Sequence, residues 1–270
     1  RPHFEDAANR QRISFDTTNP GARDLVAGNP NLNALMSDNF DVSVAWYPNQ
    51  TTVLQAAVFH KEISNFFLDL TATAPPGGSV GLPPSIQLPD GIAEGFRRIE
   101  TVINGGKARV TGVELSYSQT FPNAPGILSG LFLTGNLTLA QSTAETFERP
   151  GENLPFPDQA DITGNFSLGY EDKRFSLRGS VNHRGETLAG ISTEDFSGIE
   201  GFPEDRFRAA YTQYDINIRL NVAEGVQLYA DAINITGEKD IRFYQGANFP
   251  LYERVQDFGA TYQVGARVTF

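Results

Sequence analysis

The C-terminal stretch Asp257 to Phe270 constrains this chain more than any other. Phe258, Ala260, Tyr262, Val264, Ala266, Val268 and Phe270 share one parity, and Gly259, Thr261, Gln263, Gly265, Arg267 and Thr269 share the other. Successive side chains of a strand point to opposite faces, so this is a strand with one apolar and one polar face. A soluble two-layer fold would bury the apolar face against a second layer. A transmembrane barrel turns it to lipid and the polar face to a hydrated lumen.

The same alternation recurs upstream. Tyr214, Ile216, Ile218, Leu220 and Val222 oppose Gln213, Asp215, Asn217, Arg219 and Asn221, and Ile162, Phe166, Leu168 and Tyr170 oppose Asp161, Thr163, Asn165, Ser167 and Glu171. Phe175, Leu177 and Val181 form another such set, as do Leu131, Leu133, Leu137 and Leu139, and Val113, Leu115 and Tyr117. Further strands are expected at about 38–47, 51–67 and 226–245, which makes about nine. The connections alternate in length. Short ones fall at 48–50, 122–126, 171–174 and 223–225, and long ones at roughly 68–97, 142–158, 188–208 and 246–255, while 1–36 reads as another long loop. Short turns at one rim and long loops at the other are the layout of an antiparallel up-and-down outer-membrane barrel, and the parity puts Phe270 at the short-turn, periplasmic rim. The whole chain, 1–270, is therefore expected to be a single all-β unit, part of such a barrel, with strands and loops over 37–270.

Composition narrows the function. No stretch approaches the roughly 20 apolar residues of a membrane helix, which excludes helical spanning and says nothing against strands. A formal charge of −11 disfavours nucleic acid as a partner. The absence of cysteine removes disulfides, thiolate metal sites and cysteine nucleophiles. His3, His60 and His183 lie in separate elements, so no metal centre is expected. Gly105 to Gly112 lacks the spacing of a phosphate loop, Asp231 to Gly237 lacks the acids of a calcium loop, and no nucleophile elbow occurs. Neither an enzyme nor a bound cofactor is expected.

Binding residues are expected in the last two outer loops. Phe196, Tyr244, Phe249 and Tyr252 lie there beside Arg206, Arg208, Arg242 and Arg254. Aromatic rings beside charged groups can stack on and hydrogen-bond a sugar or clamp a siderophore. The competing reading packs these aromatics against each other or into the upper aromatic girdle. The overall acidity argues mildly against a strongly anionic ligand unless a basic patch is local. Charges at lumen parity read first as a hydrated wall, and among them Arg219, Asp231 and Arg267 are expected to form a cross-strand cluster near the periplasmic rim.

Four stretches resemble TonB-dependent receptors, in the C-terminal half of their barrel. Gly28 to Pro48 is similar to the segment that opens on Gly-Asn-Pro and leads into a strand, and Val58 to Phe67 to the strand that follows. Asn104 to Gln119 resembles the Gly-x-Glu strand, and Tyr229 to Phe270 the last two strands with their Asn-x-Thr turn and terminal Phe. The set runs in the right order over nearly the whole chain. Its Asn104 to Leu115 and Gly28 to Asn33 segments are most similar to the branch associated with carbohydrates. The resemblance implies a barrel of about 22 strands around a plug domain in the Gram-negative outer membrane, among lipid and lipopolysaccharide. It implies import of a scarce nutrient, a carbohydrate or a ferric siderophore, driven by the TonB complex. Plug, TonB box and the remaining strands are expected upstream of Arg1. It also implies that Tyr262, Val264, Val268 and Phe270 form the signal read by the barrel-assembly machinery, so that deleting Phe270 should impair insertion. The competing classes are a passive porin-like channel and, further off, a soluble β-sandwich binding domain.

Overall fold

The computed structural model describes residues 11–15, 23–73, 96–146, 149–192, 205–245 and 251–269. Seventeen strands run through them. β1 (Gln11–Phe15) and β2 (Arg23–Ala27) are short, and β3 (Met36–Asn49) and β4 (Thr52–Ser64) are long. β5 (Phe67–Thr73) and β6 (Arg98–Asn104) precede β7 (Lys107–Thr120), β8 (Leu131–Ala144), β9 (Ile162–Glu171) and β10 (Phe175–Arg184). The short β11 (Thr187–Ser192) and β12 (Arg206–Arg208) lead to β13 (Tyr211–Ala223) and β14 (Val226–Ile233). β15 (Asp240–Tyr244), β16 (Leu251–Gln256) and β17 (Thr261–Val268) complete the chain.

Nine of these strands form one antiparallel sheet in the order β17-β14-β13-β10-β9-β8-β7-β4-β3, an open, partial barrel wall. The expected count of nine and the short turns both appear. Directly opposed residues share a face, and the register assigns every side chain. Val42, Val58, Val113 and Leu139 stand in one row, and Tyr214, Ala232 and Tyr262 belong to the same face. That face is apolar and exposed: Val264 is 82% accessible and Trp46 63%. A sheet that leaves large apolar side chains uncovered is stable only where lipid covers them. Opposite it runs a row of uncharged polar groups, Gln55, Ser116, Asn136, Asn165, Asn182 and Gln213, across six neighbouring strands. Asn165 donates to Asn136 at 3.0 Å within this row.

The long connections contain a second sheet that the sequence pattern does not announce. Its order is β1-β2-β6-β5-β11-β12-β15-β16, at the end of the wall where the long connections lie; we call it the mouth sheet. The segments expected at 51–67 and 226–245 as single strands each break, and their outer parts join this sheet. The breaks have local causes. Asn65 and Asn234 adopt φ of 55° and 54°, left-handed values that asparagine tolerates. Asn234 is buried, accepts from the Glu238 amide at 2.9 Å and donates to the carbonyls of Glu238 and Gly259, closing the Asn-x-Thr turn. Opposite Asn65, the Gly105-Gly106 pair is needed for space, since a Cβ on Gly105 would fall 2.1–2.5 Å from the Phe66 ring. At these breaks the β4–β7 ribbon changes neighbours. β5 rather than β6 becomes the strand next to the outer continuation of β10, through a short parallel pairing with β11.

The core lies between the two sheets. Phe66, Leu68, Leu70, Ile103, Leu188, Ile191 and Phe207 of the outer segments pack against Ile63, Ala108, Val110, Ala140 and Ala144. The latter five occupy lumen parity at the outer ends of β4, β7 and β8, so the mouth sheet lies on the lumen side of the wall. The β8–β9 loop fills the space beneath: Leu154 bridges Ala144, and Phe156 meets Phe66 edge-on at 5.4 Å. A smaller cluster of Leu25, Ala27, Phe96 and Ile99 extends the core under β2 and β6.

Candidate functional site

The mouth sheet has two unlike faces. Leu25, Leu68, Leu70, Ile99, Ile103, Leu188, Phe207 and Phe243 face the core, with Phe207 and Phe243 stacked at 5.9 Å. The opposite face carries Arg12, Asp69, Glu100, Arg206, Arg208, Arg242 and Tyr244, alternating with the first set along each strand. Because the apolar face rests on the lumen side of the wall, the charged face looks into the lumen. Independent contacts agree. Arg184, at lumen parity on the outer end of β10, donates to the carbonyl of Ala209 at 3.0 Å and lies in the electrostatic field of Asp240.

Register brings most of the sequence-predicted binding residues together. Arg206 pairs with Tyr244, Arg208 with Arg242, and Arg242 with Arg254. Arg208 donates from Nε and one terminal nitrogen to the two oxygens of Asp240, each at 2.9 Å, which raises the Arg208 pKa and holds the Asp240 carboxyl below its usual range. Arg242 and Arg184 lower Asp240 further. Arg206 lies 3.6 Å from Asp69 and 3.9 Å from Glu253. Burial, then the Glu253 carboxylate, pushes the Tyr244 hydroxyl pKa up. Tyr252 is 66% exposed and faces Phe243 across a bulge. Phe196, Phe249 and Phe270 lie outside the described residues.

The expected cluster of Arg219, Asp231 and Arg267 reduces to a pair. Arg219 donates to Asp231 at 2.7 Å, Asn217 supports the same oxygen at 2.9 Å, and the guanidinium lies over the Tyr229 ring. Arg267 instead faces Gln227, while Asp231 faces Gln263. Four residues of strand separate them, about 13 Å at 3.3 Å per residue, beyond the reach of one side chain. Tyr262, Val264 and Val268 lie on the exposed apolar face as their parity requires, whereas Phe258 precedes β17 and is 73% exposed.

Sequence reasoning missed two features. Arg149 in the β8–β9 loop bonds both oxygens of buried Asp205 at 2.6 and 2.7 Å and also Glu152 at 2.9 Å, tying the loop to the start of β12. Burial opposes its charge, but the two carboxylates outweigh it and raise its pKa. The second is a cleft of about 380 Å³ on the charged face, lined by Arg12, Asp69, Thr71, Glu100 and Arg206. A larger hollow, about 650 Å³, is floored by Gly135 and Gly164 and walled by Trp46, Tyr117 and Phe166. It opens on the apolar outer face, where acyl chains rather than an aqueous ligand would fill it. His60 and His183 each bond a threonine hydroxyl on that face, Thr111 at 2.7 Å and Thr212 at 2.8 Å. Among the described residues no three His, Asp or Glu side chains gather as a metal site.

Comparisons with known proteins agree with this geometry. The family model described as TonB dependent receptor-like, beta-barrel, matches residues 1–235. An enterobactin-bound mutant of the ferric enterobactin receptor PfeA from Pseudomonas aeruginosa superposes with a TM-score of 0.61 at 18% identity, covering 100% of this chain and 37% of that one. The ferric yersiniabactin uptake receptor FyuA from Yersinia pestis gives 0.55 at 17%, covering 87% and 30%. The FrpB iron transporter from Neisseria meningitidis gives 0.53 at 14%, covering 89% and 32%. The chain thus spans about a third of the length of these structures. No curated protein matches the sequence. With a lipid-facing wall, a polar lumen row and a family match over most of its length, the chain belongs to the TonB-dependent receptor β-barrel family of the Gram-negative outer membrane.

Proposed function

We propose that this chain is the C-terminal wall and mouth of a receptor that imports a small nutrient across the outer membrane with energy from the TonB complex. The observation that carries the reading is the folded mouth sheet, whose charged face overlooks a lumen wall lined with amide and hydroxyl groups. The β8–β9 loop and the mouth sheet pack together against the outer, lumen-side ends of β4, β7 and β8, which supports a built binding platform at this rim. On this reading the receptor's own plug rests against the polar wall, and outer-membrane lipid and lipopolysaccharide surround the apolar face. The barrel-assembly machinery inserts the barrel through its last strand. The structures named for iron or ferric siderophores support a ferric chelate as the nutrient, with a carbohydrate as the second class to try.

The test uses cells expressing the complete receptor, with and without TonB, supplied with single ferric siderophores or oligosaccharides as the limiting nutrient. Growth on at least one ligand that disappears without TonB is expected. Growth on all ligands regardless of TonB, together with steady conductance in planar bilayers, would instead identify a passive channel.

A further inference from the structure

Arg208, Arg242 and Arg254 form one row across β12, β15 and β16, each directly opposite the next. Like charges placed directly opposite one another destabilise a sheet, so local packing alone gives no reason for such a row. Among the described residues, few carboxylates answer it. Asp240 is occupied by Nε and one terminal nitrogen of Arg208, Asp158 acts on Arg208 from further away, and Glu253 lies 3.9 Å from Arg206. Arg184 adds a fourth guanidinium beside Asp240. The Nε of Arg242 is buried with no hydrogen-bond partner among the described residues, and Arg254 is exposed with no ion pair among them. Behind the row, the Phe207–Phe243 stack fixes β12 and β15 to the core, so the guanidiniums are presented from a firm base. Among the described residues, Arg184, Arg208 and Arg242 gather around the single carboxylate of Asp240, with Arg254 opposite Arg242 and Asp158 acting at longer range.

We infer that the Arg208–Arg242–Arg254 row, with Arg184 beside it, recognises a ligand that presents two or more fixed negative charges as carboxylate or phosphate groups. The inference rests on the import reading and names the charge class admitted at the mouth. Guanidinium forks bind such groups through two parallel hydrogen bonds. Neighbouring strands set the forks about 5 Å apart, so three of them span about 10 Å, the scale of a polycarboxylate. A neutral sugar would desolvate these cations without compensating their charge. The row faces the lumen, out of reach of the phosphates of the surrounding lipid.

The test is calorimetric titration of the complete receptor, purified in detergent, with citrate, pyrophosphate and neutral maltotriose. Saturable binding of the two anions and none of maltotriose is expected. Raising salt about tenfold should weaken the anion binding several-fold, because part of it is Coulombic. The double variant R242Q/R254Q should weaken anion binding at least tenfold, and R242K/R254K should recover part of it. R109Q, on the outer face of β7, should bind as the parent does. Retained heat-modifiable gel mobility reports that each variant is folded. Maltotriose binding at least as tight as citrate, or unchanged anion binding in R242Q/R254Q, overturns the inference. Loss of anion binding in R109Q alone would place the anion on the lipid-facing exterior and overturn it equally. TonB-dependent import that persists in a receptor without anion binding would sink this inference and leave the import reading standing.

Discussion

In the barrel wall, Val264, Trp46 and Val113 belong to the most exposed face of the chain, whereas in the mouth sheet Leu25, Leu68 and Ile99 are almost wholly buried. Both sheets alternate apolar and polar residues with period two, and they differ in what covers the apolar face. Lipid covers the wall, so no second protein layer is needed and the polar face is free to line a lumen. The mouth sheet stands in water and has to cover its apolar face itself, which it does against the outer lumen side of the wall. The charged face is then the only one left to meet a ligand. The same pattern thus yields a membrane-spanning element in one place and a binding platform in the other.

If that contrast holds, substitutions should separate the two sheets. The largest effect is expected for Phe66→Ala, which removes a ring that is 1% exposed and packed on Phe156. A loss of about 3–5 kcal/mol is expected for such a cavity, read as protease cleavage in the mouth loops while the wall keeps its heat-modifiable gel mobility. Simultaneous loss of both would mean that the sheets are one cooperative unit. Next is Val264→Arg on the lipid face, expected to cost about 2–4 kcal/mol near the bilayer midplane, while Gln263→Arg on the lumen face costs little. Equal costs, measured by denaturant unfolding in lipid vesicles, would contradict the assignment of faces.

Arg149→Ala removes the two-oxygen guanidinium contact of the buried Asp205 carboxylate and should cost the mouth about 2 kcal/mol, part of the full penalty because Glu152 is exposed. Amide exchange in 205–208 should rise, and exchange in β13 should not. Acid should act in the same place. Glu152 and Asp240 have folded pKa values below their ordinary 4.5 and 3.8, so their stabilisation is present above those values and lost as pH falls through the depressed ones. Mouth protection is therefore expected to be flat from neutral pH to about 5 and to fall below about 4. The smallest effect sharpens the comparison from the other side. Arg242→Gln relieves opposed like charge and should leave stability unchanged or raise it by roughly 0.2–1 kcal/mol. A clear loss in thermal unfolding would make the arginine row structural.

The wall was legible because each of its strands is long enough for period two to show, and because the turns at 171–174 and 223–225 are short. The mouth sheet was hidden for physical reasons. Its strands run from three to seven residues, too short to establish a period, and they sit inside segments that read as loops. Its neighbours are remote in sequence, as with β5 beside β11, and the breaks at Asn65 and Asn234 reset the parity that extrapolation relies on. Residue type alone marked Arg206, Arg208, Arg242, Arg254 and Tyr244 as binding candidates; only register shows that three of these arginines form a row. Register also removes Arg267 from the Arg219–Asp231 pair, since closeness to a common rim is not adjacency along it. Phe66 looked like the end of a strand and is a centre of the core.

The two-sheet account is tested most directly by site-directed spin labelling, which suits a chain with no cysteine of its own. Labels at single cysteines along β13, from 213 to 220, should collide with oxygen at 214, 216, 218 and 220 and with an aqueous nickel chelate at 213, 215, 217 and 219. In the mouth sheet, labels at 99 and 103 should be immobilised, and those at 100 and 102 mobile and water-accessible. A flat or inverted pattern along β13, or equal mobility at all four mouth positions, would contradict the account.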